Sequence, residues 1–220
     1  MSGITLRSYK LTHDTGFAPN PFFGSLTLAT CKPGIRRTAK IGDWIAGFTS
    51  GGLCGDPVGQ ERLVYLMKVT ERLTLAEYFC DSRFVVKRAI GCAGSEIGRR
   101  GDNIYRPLRP EAKEAAEFEQ RPNPHHWNRN GNCEDAASKR RDIGGRNVLI
   151  ASDYVYFGRN ALVIPAALRP DVPVGQAGYG SLTHDSHRVR DFIDFVYAGK
   201  DQKMMGPPHV WPSGDETWRQ

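Results

Sequence analysis

The clearest hydrophobic patterning lies between Ser25 and Phe84, where short apolar runs alternate with glycine-rich turns. Leu26 and Leu28 alternate with smaller or polar residues up to Cys31, the period of two expected of a strand with one buried face. Asp43 to Phe48 reads as another strand, bracketed by Gly42 and by Gly51-Gly52, and Leu63 to Val69 is an unbroken apolar run with strong strand character. The glycine-rich connection between these two runs suits antiparallel neighbours. Ile35 to Lys40, after the turn Lys32-Pro33-Gly34, is a short basic segment. Thr74 is placed to cap a short helix carrying Leu75, Tyr78 and Phe79 on one side.

Outside this block the signals are weaker. Tyr9 to Thr12 begins a strand that runs into DTGFAPNPFFG, a turn with aromatic anchors. From about residue 85 to 147 glycine, arginine, proline and histidine dominate, and Pro110 to Gln120 is the only helical stretch, so this part reads as a loop-rich insertion. Asn147 to Gly158 restores strand character, with Asp153 at a turn. Val189, Phe192, Ile193 and Val196 recur at helical spacing, with Gly199 as a stop, and residues 201–220 read as a loose tail. The pattern predicts an α+β fold, one domain over residues 1–200 with flanking helices.

Composition sharpens this picture. A chain of 220 residues suffices for one good core, and its 24 glycines and 14 prolines exclude a helical bundle. The net charge of +6 favours polyanionic partners. Five cysteines without a CxxC pair give neither a disulfide framework nor a zinc ribbon, and a reducing, cytoplasmic setting fits them. No segment approaches the ~18 apolar residues of a membrane span, and MSGITLRSYKL lacks a signal-peptide core, so a soluble protein without membrane contact is expected.

Common catalytic signatures are missing: there is no GxSxG, no GxxxxGK[ST], no HExxH and no GxGxxG after a strand. His125-His126 with Cys133 has metal-binding chemistry but no regular fourth ligand, and neither a metal nor another cofactor is expected. His184 and His187 straddle the start of the last helix, where solvent-facing polar residues are common. Asp43, Asp102 and Asp153 are candidate general bases if buried, although Asp43 after Gly42 also suits a tight turn. Binding has the stronger signal. Lys32, Arg36, Arg37 and Lys40 cluster, further arginines follow from Arg83 to Arg109, and Phe17, Phe22, Phe23, Trp44, Tyr105 and Tyr156 offer stacking faces. Asn20, Thr49, Ser50, Asp102 and Asn103 carry the donors and acceptors needed to read an exposed base edge, and the same residue types also make turns.

The order IRRTAKIGDWIAGFTS, LVYLMKVTE, YFCDSRF resembles the EVE and ASCH branch of the PUA-like superfamily. More closely, DTGFAPNPF, CKPGIRRTAKIGDWIAG, GDNIY and SDYVYFG look like the nucleotide modification-associated domain 2 family, over about residues 8 to 160. The resemblance implies a PUA-like β-barrel and a tie to modified nucleotides. By analogy with EVE domains it implies pocket roles for Thr15, Gly16, Asn20, Arg36, Arg37, Thr49 and Ser50, to which Phe22, Asp102, Asn103 and Tyr105 are added as base- or nucleotide-binding candidates. The EVE-like aromatic-His-Ser step reads Phe48-Thr49-Ser50 here, and the insertion has no counterpart in a minimal EVE domain. The expected function is non-catalytic capture of a modified base or nucleotide, with nucleic acid carrying it as the expected partner. The alternative is an enzyme acting on that ligand with Asp102 or Asp43 as general base.

Overall fold

A computed structural model describes residues 4–90, 94–128, 130, 132–173, 181–183, 186–200 and 202–219. Cys92 and His184 lie outside the described residues. The strands of the first half are β1 (Leu6–Lys10), β2 (Leu26–Leu28), β3 (Trp44–Phe48), β4 (Leu63–Lys68), β5 (Glu71–Thr74) and β6 (Tyr105–Pro107). Those of the second half are β7 (Phe118–Gln120), β8 (Trp127–Asn128), β9 (Cys133–Glu134), β10 (Asn147–Ala151), β11 (Asp153–Tyr156) and β12 (Ser181–Thr183). The helices are α1 (Pro33–Thr38), α2 (Gly51–Cys54), α3 (Leu75–Cys80), α4 (Ala136–Ile143) and α5 (Ser186–Tyr197).

The fold is α+β, built around a five-stranded sheet in the order β11-β4-β3-β1-β12 and a three-stranded sheet in the order β2-β10-β5. β3 and β4 are the antiparallel neighbours expected, whereas β1 joins β3 in parallel. The larger sheet ends at β11 and β12 without closing on itself, so the described strands form no closed barrel. Two layers of sheet, each with its own neighbours, take the place of the single barrel expected from the sequence.

Alternation explains the layering. Trp44, Ala46 and Phe48 of β3 face Val189, Phe192 and Val196 of α5, while Ile45 joins Val64, Met67 and Tyr154 on the opposite face. That second face packs on Leu26, Leu28, Leu149 and Ala151 of the smaller sheet. The smaller sheet then turns Val148 and Ile150 toward Tyr78, Phe84, Ile104 and Tyr105. β4 is buried on both faces, which is why it reads as a continuous apolar run. Gly47 lets the Tyr65 ring lie across β3, since a Cβ there would sit 2.2 Å from the ring.

α3 forms where expected, with Glu77 N–H donating to Thr74 Oγ1 (3.1 Å) and Thr74 N–H to the Glu77 carboxylate (2.7 Å). The predicted helix over Pro110 to Gln120 is instead a single 3-10 turn at Ala115–Glu117 followed by β7. There the Glu117 carboxylate accepts from the amides of Lys113 and Glu114, and pairing of Phe118 to Gln120 with β6 competes with helix. The region read as an insertion supplies core residues, β6, β7 and α4. None of the described helices is long and apolar enough to cross a membrane.

The segment after Lys200 is packed, unlike the loose tail the sequence suggests. Trp211 and Trp218 are buried with Phe22 and Ile97, and Arg100 lies 4.7 Å over the Trp211 ring. Asp14, fully buried, accepts from Tyr156 Oη (2.5 Å) and from the His209 amide (3.1 Å), and it lies 2.7 Å from His209 Nδ1. Pro-rich, polar composition hides these two indole anchors. Trp211→Ala is expected to lower unfolding free energy by about 3 to 5 kcal/mol in a urea titration, the usual cost of emptying a buried tryptophan site.

Candidate active site

Between β2 and α1 the chain makes a sharp turn. Cys31 (φ 55°) and Lys32 (φ 42°) are consecutive non-glycine residues in the left-handed region, and Pro33 then opens the helix. Backbone of this kind costs roughly 1 to 3 kcal/mol per residue and persists where its surroundings over-determine it. Here the surroundings can be named. The Cys31 amide donates to Asp142 Oδ1 at 2.7 Å, and Arg36 Nη1 donates to the carbonyls of Cys31 (3.2 Å) and Asp142 (2.8 Å).

Asp142 lies in the last turn of α4, whose start is capped by the Asp135 carboxylate accepting from Ala137 and Ser138 (both 3.1 Å). Its side chain is fully buried. Oδ2 accepts from Tyr105 Oη at 2.8 Å and lies 2.7 Å from His126 Nδ1. The far side of that ring faces the turn, with His126 Nε2 3.6 Å from Cys31 Sγ. Asn123 fixes the histidine from below, accepting the amides of His125 (3.0 Å) and His126 (2.6 Å) and donating to the His126 carbonyl (3.1 Å). Gly145 allows the guanidinium of Arg36 to approach, since a Cβ there would lie 2.8 Å from it.

The electrostatics follow. Burial alone disfavours a charged His126, but the hydrogen bond to Asp142 and the contact with Cys31 outweigh it and raise its pKa to about 9. Burial likewise pushes Asp142 up, and His126, Arg36 and Tyr105 together bring it below the usual carboxylate range. At neutral pH the pair is therefore imidazolium and carboxylate.

Cys31 and His126 open onto a cavity of about 580 Å³, within the range of small-molecule sites. Its walls include Tyr9, Leu11, Thr15, Phe17, Pro33 and His125, with Lys32 and Arg141 adding charge. Phe17 stacks on His125 at 4.6 Å between ring centroids. The donor atoms of Cys31, His126 and Asp142 lie within 4.8 Å of one another, close enough to consider a metal. Asp142, however, spends one oxygen on the Cys31 amide and the other on Tyr105 and His126 Nδ1, leaving Sγ and Nε2 as two donors where zinc takes three or four protein ligands. A thiol beside an imidazole whose other nitrogen meets a carboxylate is the set of groups found at an activated nucleophile.

A sequence profile described as nucleotide modification associated domain 2 matches residues 4–215. The chain belongs to that family. Comparison with curated proteins and with solved structures gives no match. The family's name ties the chain to nucleotide modification, and the matched span includes both the segment read as an insertion and Trp211.

Within this member of the nucleotide modification associated domain 2 family, the residues singled out in the sequence are dispersed. Thr15 lines the cavity, and Arg36 and Tyr105 hold Asp142 from behind. Arg37 bonds the Gly144 carbonyl (3.4 Å). Gly16 (φ 76°) and Phe22 pack against the C-terminal segment, Gly16 beneath Pro208 and Phe22 against Trp211. Asn20 and Asp102 belong to another buried network: Lys87 Nζ donates to Asn20 Oδ1 (2.8 Å), while Thr27 Oγ1 (2.6 Å) and Tyr78 Oη (2.8 Å) donate to Asp102. Desolvation raises the pKa of Asp102 and lowers that of Lys87 to about 8. Asn103 donates to the carbonyls of Tyr78 (3.2 Å) and Phe84 (3.1 Å). Thr49 donates to Asp56 (2.5 Å), Ser50 to the Leu11 carbonyl (2.7 Å), and Asp43 accepts from Arg7 (3.2 Å) and the Lys40 amide (3.0 Å) in its turn. Cys133, paired with the histidines in the sequence, is exposed on β9, and His126 meets Cys31 instead.

No short motif marks Cys31 and Asp142, because these two and His126 are far apart in sequence; the one local signal is a cysteine at a strand-to-helix turn closed by Lys-Pro-Gly. A stability profile tests the charge pair. His126 is protonated more readily folded than unfolded, so its contribution is full below about pH 6.5, the unperturbed value, and is lost as pH rises through about 9. Asp142 contributes above about pH 3.8 and loses its part as pH falls below that value. Urea titrations are expected to show this pair's contribution at its fullest between about pH 3.8 and 6.5 and stability falling as pH rises from there through about 9, with the alkaline slope reduced in His126→Gln.

Proposed function

We propose that the chain is a cysteine-nucleophile enzyme of nucleotide modification, acting on an acyl or amide group carried by a base or nucleotide. The observation that carries this reading is the contact of Cys31 Sγ with His126 Nε2 (3.6 Å) at the wall of the cavity, with His126 Nδ1 2.7 Å from the buried Asp142 behind it. With the proton on His126, Cys31 acts as thiolate. It adds to the acyl carbon, and the bond from that carbon to nitrogen or oxygen breaks as imidazolium gives its proton to the leaving atom. The thioester is then resolved by water or an amine, from which His126 takes a proton back. Asp142 holds the ring in register throughout and, fixed by three partners, is a positioning residue. The base or nucleotide expected as a ligand from the sequence is retained; catalysis replaces the expected non-catalytic capture, with Cys31 in place of the alternative's Asp102 or Asp43.

Alkylation with iodoacetamide, followed by peptide mass spectrometry, tests the reading without a known substrate. Cys31 is expected to react faster than the exposed Cys80 and Cys133, and His126→Asn to slow it by about tenfold or more. A Cys31 that reacts more slowly than Cys80 and ignores His126 would mark a structural thiol and end the proposal.

A further inference from the structure

Among the described residues, one cation at the cavity has no acidic partner and a second has only a distant one that is already engaged, unlike other cations described. Arg62 and Arg83, for example, pair with carboxylates at 2.9 and 2.7 Å. Lys32 forms no ion pair among the described residues; its Nζ donates once, to the Lys10 carbonyl at 3.3 Å, and lies 4.5 Å from the centre of the Tyr9 ring. Arg141 is half exposed, donates to Ser138 Oγ at 3.1 Å, has Nη2 3.4 Å from His126 Nε2, and reaches Asp142 Oδ1 only at 3.7 Å, an oxygen already taken by the Cys31 amide. A partly desolvated ammonium is unfavourable without an anion, and burial indeed lowers the pKa of Lys32. Both side chains border the same cavity, whose lining also includes Tyr9, Pro33 and the stacked pair Phe17–His125.

We infer that Lys32 and Arg141 form the anion subsite of this cavity and that it takes the phosphate of a nucleotide whose base lies along the aromatic wall. This rests on the proposed thiol chemistry, because it places the substrate over Cys31. An ammonium and a guanidinium with spare donors bind phosphate oxygens through charge-assisted hydrogen bonds, while the ring faces accept a base whatever its sequence. The phosphate can come from a free nucleotide or from a strand, and the two sources are separable by experiment.

Protection of Cys31 from iodoacetamide reads the subsite. The probes are the four deoxynucleosides, their 5′-monophosphates, inorganic phosphate and a short single-stranded oligodeoxynucleotide of mixed sequence. The monophosphates are expected to protect at concentrations about tenfold or more below the nucleosides and below inorganic phosphate. Stronger protection by the oligonucleotide than by the monophosphates assigns the phosphate to a strand, and the reverse to a free nucleotide. In Lys32→Gln and Arg141→Gln the ratio of protected to unprotected rates is expected to lose that advantage, a comparison made within each variant. Nucleosides that protect as well as monophosphates, inorganic phosphate that protects equally, or absence of protection by both the monophosphates and the oligonucleotide would overturn the inference. These outcomes leave the thiol reading standing if Cys31 still reacts rapidly and depends on His126; loss of that dependence fails the thiol reading itself.

Discussion

The buried carboxylate of Asp142 is the junction on which the site depends. Its oxygens meet the Cys31 amide, the Tyr105 hydroxyl and the His126 ring, so one side chain from α4 fixes a turn, a strand and a loop at once. Burying a carboxylate is costly unless it is paired and hydrogen-bonded, and every contact here answers that requirement. Arg36, itself buried, bonds the backbone carbonyls on both sides of the junction and so helps assemble the turn.

The junction also explains the strained turn. Two successive left-handed residues place the Cys31 side chain toward the histidine while its amide points at Asp142, and the surrounding bonds hold that conformation. The same geometry commits the Cys31 amide to a structural bond. Lys32 and Arg141 are the lysine and arginine that border the cavity. The two sheets provide a rigid frame: β2 delivers the turn, and β6 with β7 delivers Tyr105 and the chain that leads to His126.

Much of the frame is legible in the sequence because it depends on local periodicity. β3, β4 and α5 announce themselves through alternation, a doubly buried apolar run and helical spacing, and Thr74 with Glu77 marks the start of α3. The expected barrel depends on how strands associate, which periodicity does not encode; the observed sheet instead combines parallel and antiparallel neighbours and stays open. The site was hidden for a related reason. Cys31 is separated from His126 by 95 positions and from Asp142 by 111, and no short motif spans such gaps. Polar residues conspicuous in sequence, such as Asn20, Asp102 and Asn103, are instead buried partners of Lys87, Thr27 and nearby backbone carbonyls. Composition identifies groups able to bond a base but does not tell which of them the fold has already used.

The central claim is that His126 holds a proton between Cys31 and Asp142 at neutral pH. Nitrogen NMR of labelled imidazoles, with His126 assigned by substitution, reads that directly. Both ring nitrogens are expected to be protonated at about pH 7.5 and to titrate near pH 9, with the midpoint falling in Cys31→Ala. A neutral ring at about pH 7.5, titrating near the unperturbed value of 6.5 and indifferent to Cys31, would contradict it.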